Sequence, residues 1–156
     1  MNTQMEQPRN IEIFNRVVLL TLAKLYDSFP TPTDIDAGKI GYEAAHDAND
    51  EHEAFDVITT VASSSIAFLV EEGFLRYEPS LRTMSGPGFP GARLTLKGFT
   101  LLGSVPSAVD GAVDRRPFAE QLRGVVSEGA KGSIAELIKS LFAGSVQLGT
   151  SALAGL

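Results

Sequence analysis

The chain has 156 residues with 13 basic and 19 acidic side chains, a formal net charge of −6 at pH 7, and no cysteine. Its length fits one domain, or one small domain with an appendage, and 44% hydrophobic against 21% charged content excludes a disordered chain. The missing cysteines exclude disulfides, a cysteine nucleophile and thiolate metal sites, and they fit a reducing compartment. The net negative charge argues mildly against a domain that presents a basic face to DNA.

The first predicted element is an amphipathic helix over residues 11–29, after a polar N-terminus in which we predict no signal peptide. Pro30 and Pro32 end this helix. Residues 31–36 are predicted to be extended or to form a turn, unless Thr31 and Pro32 begin another helix, and residues 37–50 form a short, weakly apolar helix. The apolar face of the first helix recurs at steps of three or four residues and comprises Ile11, Phe14, Val18, Leu22, Leu25 and Phe29.

A strongly apolar third helix is predicted over residues 53–72. Gly73 suits the left-handed position after its last turn, and Phe74 can fold back onto that turn. The apolar face of this helix comprises Phe55, Ile58, Ala62, Ile66 and Leu69.

Two short strands are predicted after the third helix. Phe74–Glu78 is the first, and Ala92–Lys97 is its partner, because Leu94 and Leu96 alternate with polar residues. The connection between them, Pro79–Gly91, is long for a hairpin and suits a wing. A brief helix over 98–102 follows.

The remainder of the chain is predicted to be a linker, 106–117, and an amphipathic helical extension, 118–156. Ser133 with Glu136 forms a capping box for its second helix. The apolar stripe there is read in three ways: it packs on this chain or on a second copy, it lies in the groove of a different protein, or it anchors a membrane, for which it is too short. The stripe residues available for self-association are Phe118, Leu122, Ile134, Leu137, Ile138, Leu141 and Leu148.

The order helix–helix–helix–strand–wing–strand over 11–105, with the phrases FLVEEGFLRYE and ARLTLKG, resembles the winged helix-turn-helix domains of small bacterial regulators of the multiple-antibiotic-resistance and pad types. The resemblance implies a mainly α fold, in which a winged helix (a three-helix core plus a two-stranded β-wing) carries a C-terminal helical extension. It also implies dimer formation through added helices. The quoted phrases consist of core and capping residues, so they carry architecture and no ligand.

Acidic side chains concentrate on the second helix and the start of the third. Residues 31–60 hold eight acidic side chains against Lys39 alone, a net charge of −7. We predict from this that the surface binds a protein partner with basic residues, the alternative being a solvated face without a partner. The candidate residues are Glu43, Asp47, Asp50, Glu51, Glu53 and Asp56.

DNA binding is the alternative function. The third helix would enter the major groove, but it carries no arginine or lysine. Basic residues flank the wing instead, where arginines can enter a minor groove or simply keep an exposed sheet edge soluble. The candidate DNA-binding residues are Thr59, Thr60, Ser63, Arg76, Arg82, Arg93 and Lys97.

No pattern in the chain predicts catalysis, a metal or a cofactor. Gly86, Gly88 and Gly91 match the GxGxxG motif, but intervening prolines remove N–H donors and a strand follows. His46 and His52 point to different helix faces and lack a third ligand. We therefore predict a non-enzymatic, cytoplasmic winged-helix interaction module that binds a protein partner or self-associates, with a DNA-binding transcriptional regulator as the alternative.

Overall fold

The computed structural model describes residues 7–81, 88–105, 116–128 and 134–154. The described part is mainly helical with one small antiparallel sheet. Helices α1 (Arg9–Ser28), α2 (Ala37–Ala44), α3 (Glu51–Asp56), α4 (Ala62–Glu71), α5 (Leu96–Leu102), α6 (Phe118–Glu128) and α7 (Ile134–Ala154) alternate with strands β1 (Thr33–Asp36), β2 (Leu75–Arg76) and β3 (Gly88–Leu94).

The sheet has three strands in the order β1–β3–β2, whereas the sequence predicted two. The additional strand, β1, lies in the segment for which a turn or an extended path was expected. Its pairing with β3 brings Ile35 opposite Phe89, and both side chains are buried. Burial on one face therefore selects the extended path over a turn or helix.

The strand predicted over Ala92–Lys97 runs instead from Gly88 to Leu94, so it begins within the predicted connection Pro79–Gly91 and ends before Thr95. Thr95 is the N-cap of α5, because its Oγ1 accepts a hydrogen bond from the Gly98 N–H at 3.1 Å. Leu96 consequently lies in a helix and is 80% exposed instead of facing the core.

Helices α3 and α4 are joined by a π-helical segment, Val57–Val61, into one continuous helix, Glu51–Glu71, named here the α3–α4 helix. The Ala62 N–H bonds to the Val57 carbonyl, five residues back. One additional residue in a turn rotates the preceding part by about 100°. The prediction that Phe55 shares the buried face is therefore wrong: Phe55 is 67% exposed.

The end of the α3–α4 helix follows the sequence prediction. Gly73 has φ +82°, in the left-handed region, and the Phe74 N–H bonds to the Leu69 carbonyl at 3.0 Å. This hydrogen bond closes a Schellman motif and turns the chain directly into β2. The predicted cap at Gly73 is confirmed.

The core is centred on α1 and includes the C-terminal helices. Val17, Leu22 and Leu25 of α1 are fully buried, and both α6 and α7 pack against α1. Phe142 of α7 stacks on Phe14 and meets Phe74 edge-on, with ring centroids 6.1 and 5.6 Å apart. Most of the predicted linker 106–117, and the predicted cap Ser133, lie outside the described residues.

Candidate functional site

The predicted acidic surface is partly neutralised by two arginines of α1. Arg16 Nη1 lies 2.6 Å from Asp47 Oδ1, Arg9 Nη2 lies 2.9 Å from the same oxygen, and Arg9 Nε lies 2.7 Å from Glu53 Oε1. Hydrogen bonds from Arg16 and then Arg9 hold the pKa of Asp47 far below its usual range. A hydrogen bond from Arg9 likewise lowers the pKa of Glu53.

These arginines are the residues that sequence reasoning missed. They lie outside the acidic window 31–60, but they are seven residues apart on α1 and so share one helix face. Arg16 is only 7% exposed and also donates to the Ala44 carbonyl at 3.0 Å. Asp47 and Glu53 are therefore committed to holding α1 against the α2–α3 connection, and they add little free negative charge.

The other four acidic candidates differ in their availability. Asp50 caps α3, because its Oδ1 accepts the Glu53 N–H at 2.8 Å. Glu43, Glu51 and Asp56 are exposed and form no ion pair with any residue that the structure describes. Glu51 and Asp56 flank Phe55 along the chain, so the free acidic charge of α3 lies beside an exposed aromatic ring.

An uncharged face extends along the α3–α4 helix and comprises the exposed residues Phe55, Thr59, Thr60 and Ser64. The Thr59 hydroxyl donates to the Phe55 carbonyl at 2.7 Å, which satisfies it within the helix. By length and composition this is the one helix in the described ranges that could cross a membrane, yet only 28% of its apolar window is buried. Its apolar side, with Val57, Ile66 and Leu69, is buried in the core, and Phe55 is exposed on the opposite side.

The DNA-binding candidates of the sheet lie on its outer face. Arg76 of β2 is paired in register with Arg93 of β3, and both are exposed. Neither forms an ion pair within the described part of the chain. Lys97 is engaged differently: its Nζ donates to the Glu72 carbonyl at 2.8 Å and lies 4.8 Å from the centroid of the Phe74 ring. Arg82 lies outside the described residues.

The helical DNA-binding candidates are mostly accessible. Thr59 and Thr60 are exposed, whereas Ser63 is half-buried. The Ser63 Oγ is buried and has no hydrogen-bond partner among the residues described. Ser63 borders a shallow cleft between α4 and the sheet, opposite Tyr77 and Phe89.

The remaining motifs form no chemical site in the described ranges. The Gly91 N–H donates to Asp34 Oδ1 at 2.9 Å, so it is not free to hold a phosphate, and Gly86 lies outside these ranges. His46 and His52 are exposed, and no group of three potential metal ligands is formed by the described residues.

The residues predicted for self-association lie largely inside the protomer. Ile134 is half-buried, and the described side chains do not include that of Leu148. Little of the predicted stripe is therefore left for a second copy. The buried members are Phe118, Leu122, Leu137, Ile138 and Leu141.

Comparison with known proteins does not assign the chain to a family. No protein-family model matches it, and neither the curated proteins nor the solved structures contain a significant match. Its function is therefore argued from its own surfaces.

Proposed function

We propose that this chain is a non-catalytic, cytoplasmic interaction module of winged-helix architecture, and that the uncharged face of the α3–α4 helix binds a segment of another protein. The element order and the β1–β3–β2 sheet are compatible with that architecture. The charged ends of the α3–α4 helix, and its packing against α1 and α2, favour a helix of a water-soluble domain over a membrane span.

The exposure of Phe55 is the observation that carries this proposal. An exposed phenylalanine forgoes about 1.5–3 kcal/mol that burial of its side chain would supply. Thr59 and Thr60 continue the same exposed face. These neighbours present hydroxyl groups, so Phe55 is the apolar anchor of the face, and aromatic side chains are enriched at protein interfaces.

Charge indicates the chemistry of the partner. Glu51 and Asp56 beside Phe55 form no ion pair within the described ranges, so they favour a segment with an apolar anchor flanked by lysine or arginine. The same carboxylates repel the phosphates of DNA, and the α3–α4 helix carries no cation to offset them. We therefore retain the prediction that an acidic surface binds a basic partner, and we place that surface at Glu51 and Asp56.

Selection from a displayed library of random peptides tests the proposal. We expect the enriched peptides to combine an aromatic or aliphatic residue with neighbouring lysine or arginine. Phe55→Ser should weaken their binding by about tenfold or more, while Leu96→Ser, which alters an even more exposed side chain, should leave it unchanged. Peptides without a basic bias, or equal binding to both variants, would contradict the proposal.

One observation favours a DNA-binding regulator as the second candidate. Arg76 and Arg93 oppose each other on the outer face of the sheet, and a phosphate between them would relieve their repulsion. In this case duplex DNA affinity should fall steeply between about 50 and 200 mM salt. The double change Arg76→Ala/Arg93→Ala should reduce that affinity, whereas Lys24→Ala/Lys139→Ala, with the same loss of charge, should not.

A further inference from the structure

A cleft of about 460 Å³ lies between α1, α2 and the two C-terminal helices. It is on a different part of the molecule from the uncharged face. Its volume falls in the range of small-molecule sites, about 300–1,000 Å³. The apolar part of its wall is built by Leu19, Leu20, Val125, Ile134 and Ala135.

Asn15 is a buried, uncharged polar side chain in the wall of this cleft. Asn15 is only 5% exposed. Its Nδ2 donates a long hydrogen bond, 3.4 Å, to Gln7 Oε1, and its Oδ1 accepts no hydrogen bond from any residue described. An amide oxygen in the wall of a cleft can accept a hydrogen bond from a bound donor.

The formal charges of the described lining residues leave no net cation in the cleft. Arg16 borders the cleft, but its guanidinium already binds Glu12 at 2.5 Å and both carboxylate oxygens of Asp47. Glu43 and His46 lie at the rim and are exposed. Among the described lining residues, an anionic ligand therefore meets no arginine or lysine that lacks an acidic partner, and this favours a neutral ligand.

We propose that this cleft binds a neutral, mainly apolar small molecule whose single hydrogen-bond donor is accepted by Asn15 Oδ1. The apolar body contacts α1 on one side and α6 and α7 on the other. The inference does not depend on the protein-binding role of the uncharged face. It adds a second, chemically distinct site to the molecule.

The experiment uses N-phenyl-1-naphthylamine, a neutral fluorescent probe with one N–H donor. We expect a saturable, one-to-one rise in its fluorescence with the full chain. Ala135→Trp and Val126→Trp, which fill the cleft from α7 and from the rim, should each weaken binding by about tenfold or more. Ala143→Trp, on the exposed side of the same helix α7, should stay within about twofold of the unaltered chain.

Asn15→Leu separates the hydrogen bond from apolar contact. It should weaken N-phenyl-1-naphthylamine by about fivefold to tenfold, the loss of one hydrogen bond. Competition by 1-phenylnaphthalene, which lacks the N–H, should be unchanged or stronger. Absence of saturable binding by the unaltered chain, wild-type binding by both cleft-filling variants, or an equal effect of Asn15→Leu on both compounds would overturn the proposal.

Discussion

Arg16 of α1 donates two parallel hydrogen bonds to Asp47, with Nη1 2.6 Å from Oδ1 and Nη2 2.9 Å from Oδ2. Such a bidentate ion pair fixes the orientation of the two side chains as well as the distance between them. Because Arg16 is nearly enclosed, losing the carboxylate leaves a buried cation with only Glu12 as its acidic partner. We expect Asp47→Asn to lower the free energy of unfolding by about 2 kcal/mol, measured by urea denaturation. Asp56→Asn, which removes a carboxylate with no ion-pair partner among the described residues, should change it by less than about 0.5 kcal/mol.

The same pair makes stability depend on pH. The pKa of Asp47 is lowered in the folded protein from its ordinary value of 3.8, so the folded state binds fewer protons than the unfolded state as the pH falls toward that value. The contribution of the pair is therefore fully present at neutral pH and is lost progressively below about pH 4. The stability difference between the unaltered chain and Asp47→Asn should narrow from pH 7 to pH 3. A difference that is constant or grows over this range would contradict the assignment.

Gly41 sets how closely α2 approaches the π segment. A Cβ at this position would lie 2.9 Å from the Ile58 Cα and 3.0 Å from the Val57 carbonyl oxygen, both backbone atoms. Gly41→Ala should destabilise the protein by about 1–3 kcal/mol, although alanine is the better helix former. Gly124→Ala in α6 is the matched control, because the nearest atom there is 3.8 Å away, and thermal unfolding should show it neutral or stabilised.

The C-terminal helices α6 and α7 pack on α1, and we expect them to unfold together with the N-terminal elements. Leu141 is fully buried, and Leu141→Ala should cost about 2–5 kcal/mol. The chain has no tryptophan, and its three tyrosines lie at positions 26, 42 and 77, so tyrosine fluorescence reports on the N-terminal part. That transition should move to lower urea concentration in Leu141→Ala. An unchanged tyrosine transition would mean that α6 and α7 unfold independently.

The arginine pair on the sheet should be a local source of instability. Arg93→Glu replaces repulsion from Arg76 by attraction, and we expect a gain of about 0.5 kcal/mol. The double change Arg76→Glu/Arg93→Glu restores a like-charge pair and should return the stability to near its starting value. Thermal unfolding at low salt measures both. A gain that persists in the double variant would show that the two side chains do not interact.

Features set by a few neighbouring residues could be predicted from the sequence. Gly73 followed by Phe74 encodes the end of the α3–α4 helix locally. The periodicity of α1 predicts the buried positions Val18, Leu22 and Leu25, whereas Ile11, assigned to the same face, is 39% exposed. Thr95 was misplaced because Leu94 and Leu96 mimic strand alternation, while the cap depends on the Gly98 N–H. Leu94 and Leu96 do alternate with polar residues, but the cap at Thr95 ends β3 and begins α5.

Features set by distant partners could not be predicted in this way. β1 forms because Ile35 pairs with Phe89, which lies far away in the sequence. Nothing in the sequence around either residue indicates that the two pair. The same holds for the pairing of Arg9 and Arg16 with Asp47. The π segment, VITTV, carries no local pattern that separates it from an α-helix, yet it decides that Phe55 faces solvent. The candidate site was therefore predicted as an acidic surface, and its aromatic centre was missed.

The most direct test of the account labels the uncharged face itself. Because the chain lacks cysteine, Thr59→Cys can be modified specifically with acrylodan, whose emission shifts to the blue when it is removed from water, and Ala143→Cys serves as the control position. Addition of a selected basic, apolar peptide should shift the emission at position 59 and leave position 143 unchanged, and duplex DNA should shift neither. A blue shift at position 59 with DNA but not with the peptide would contradict the central claim that this face recognises protein.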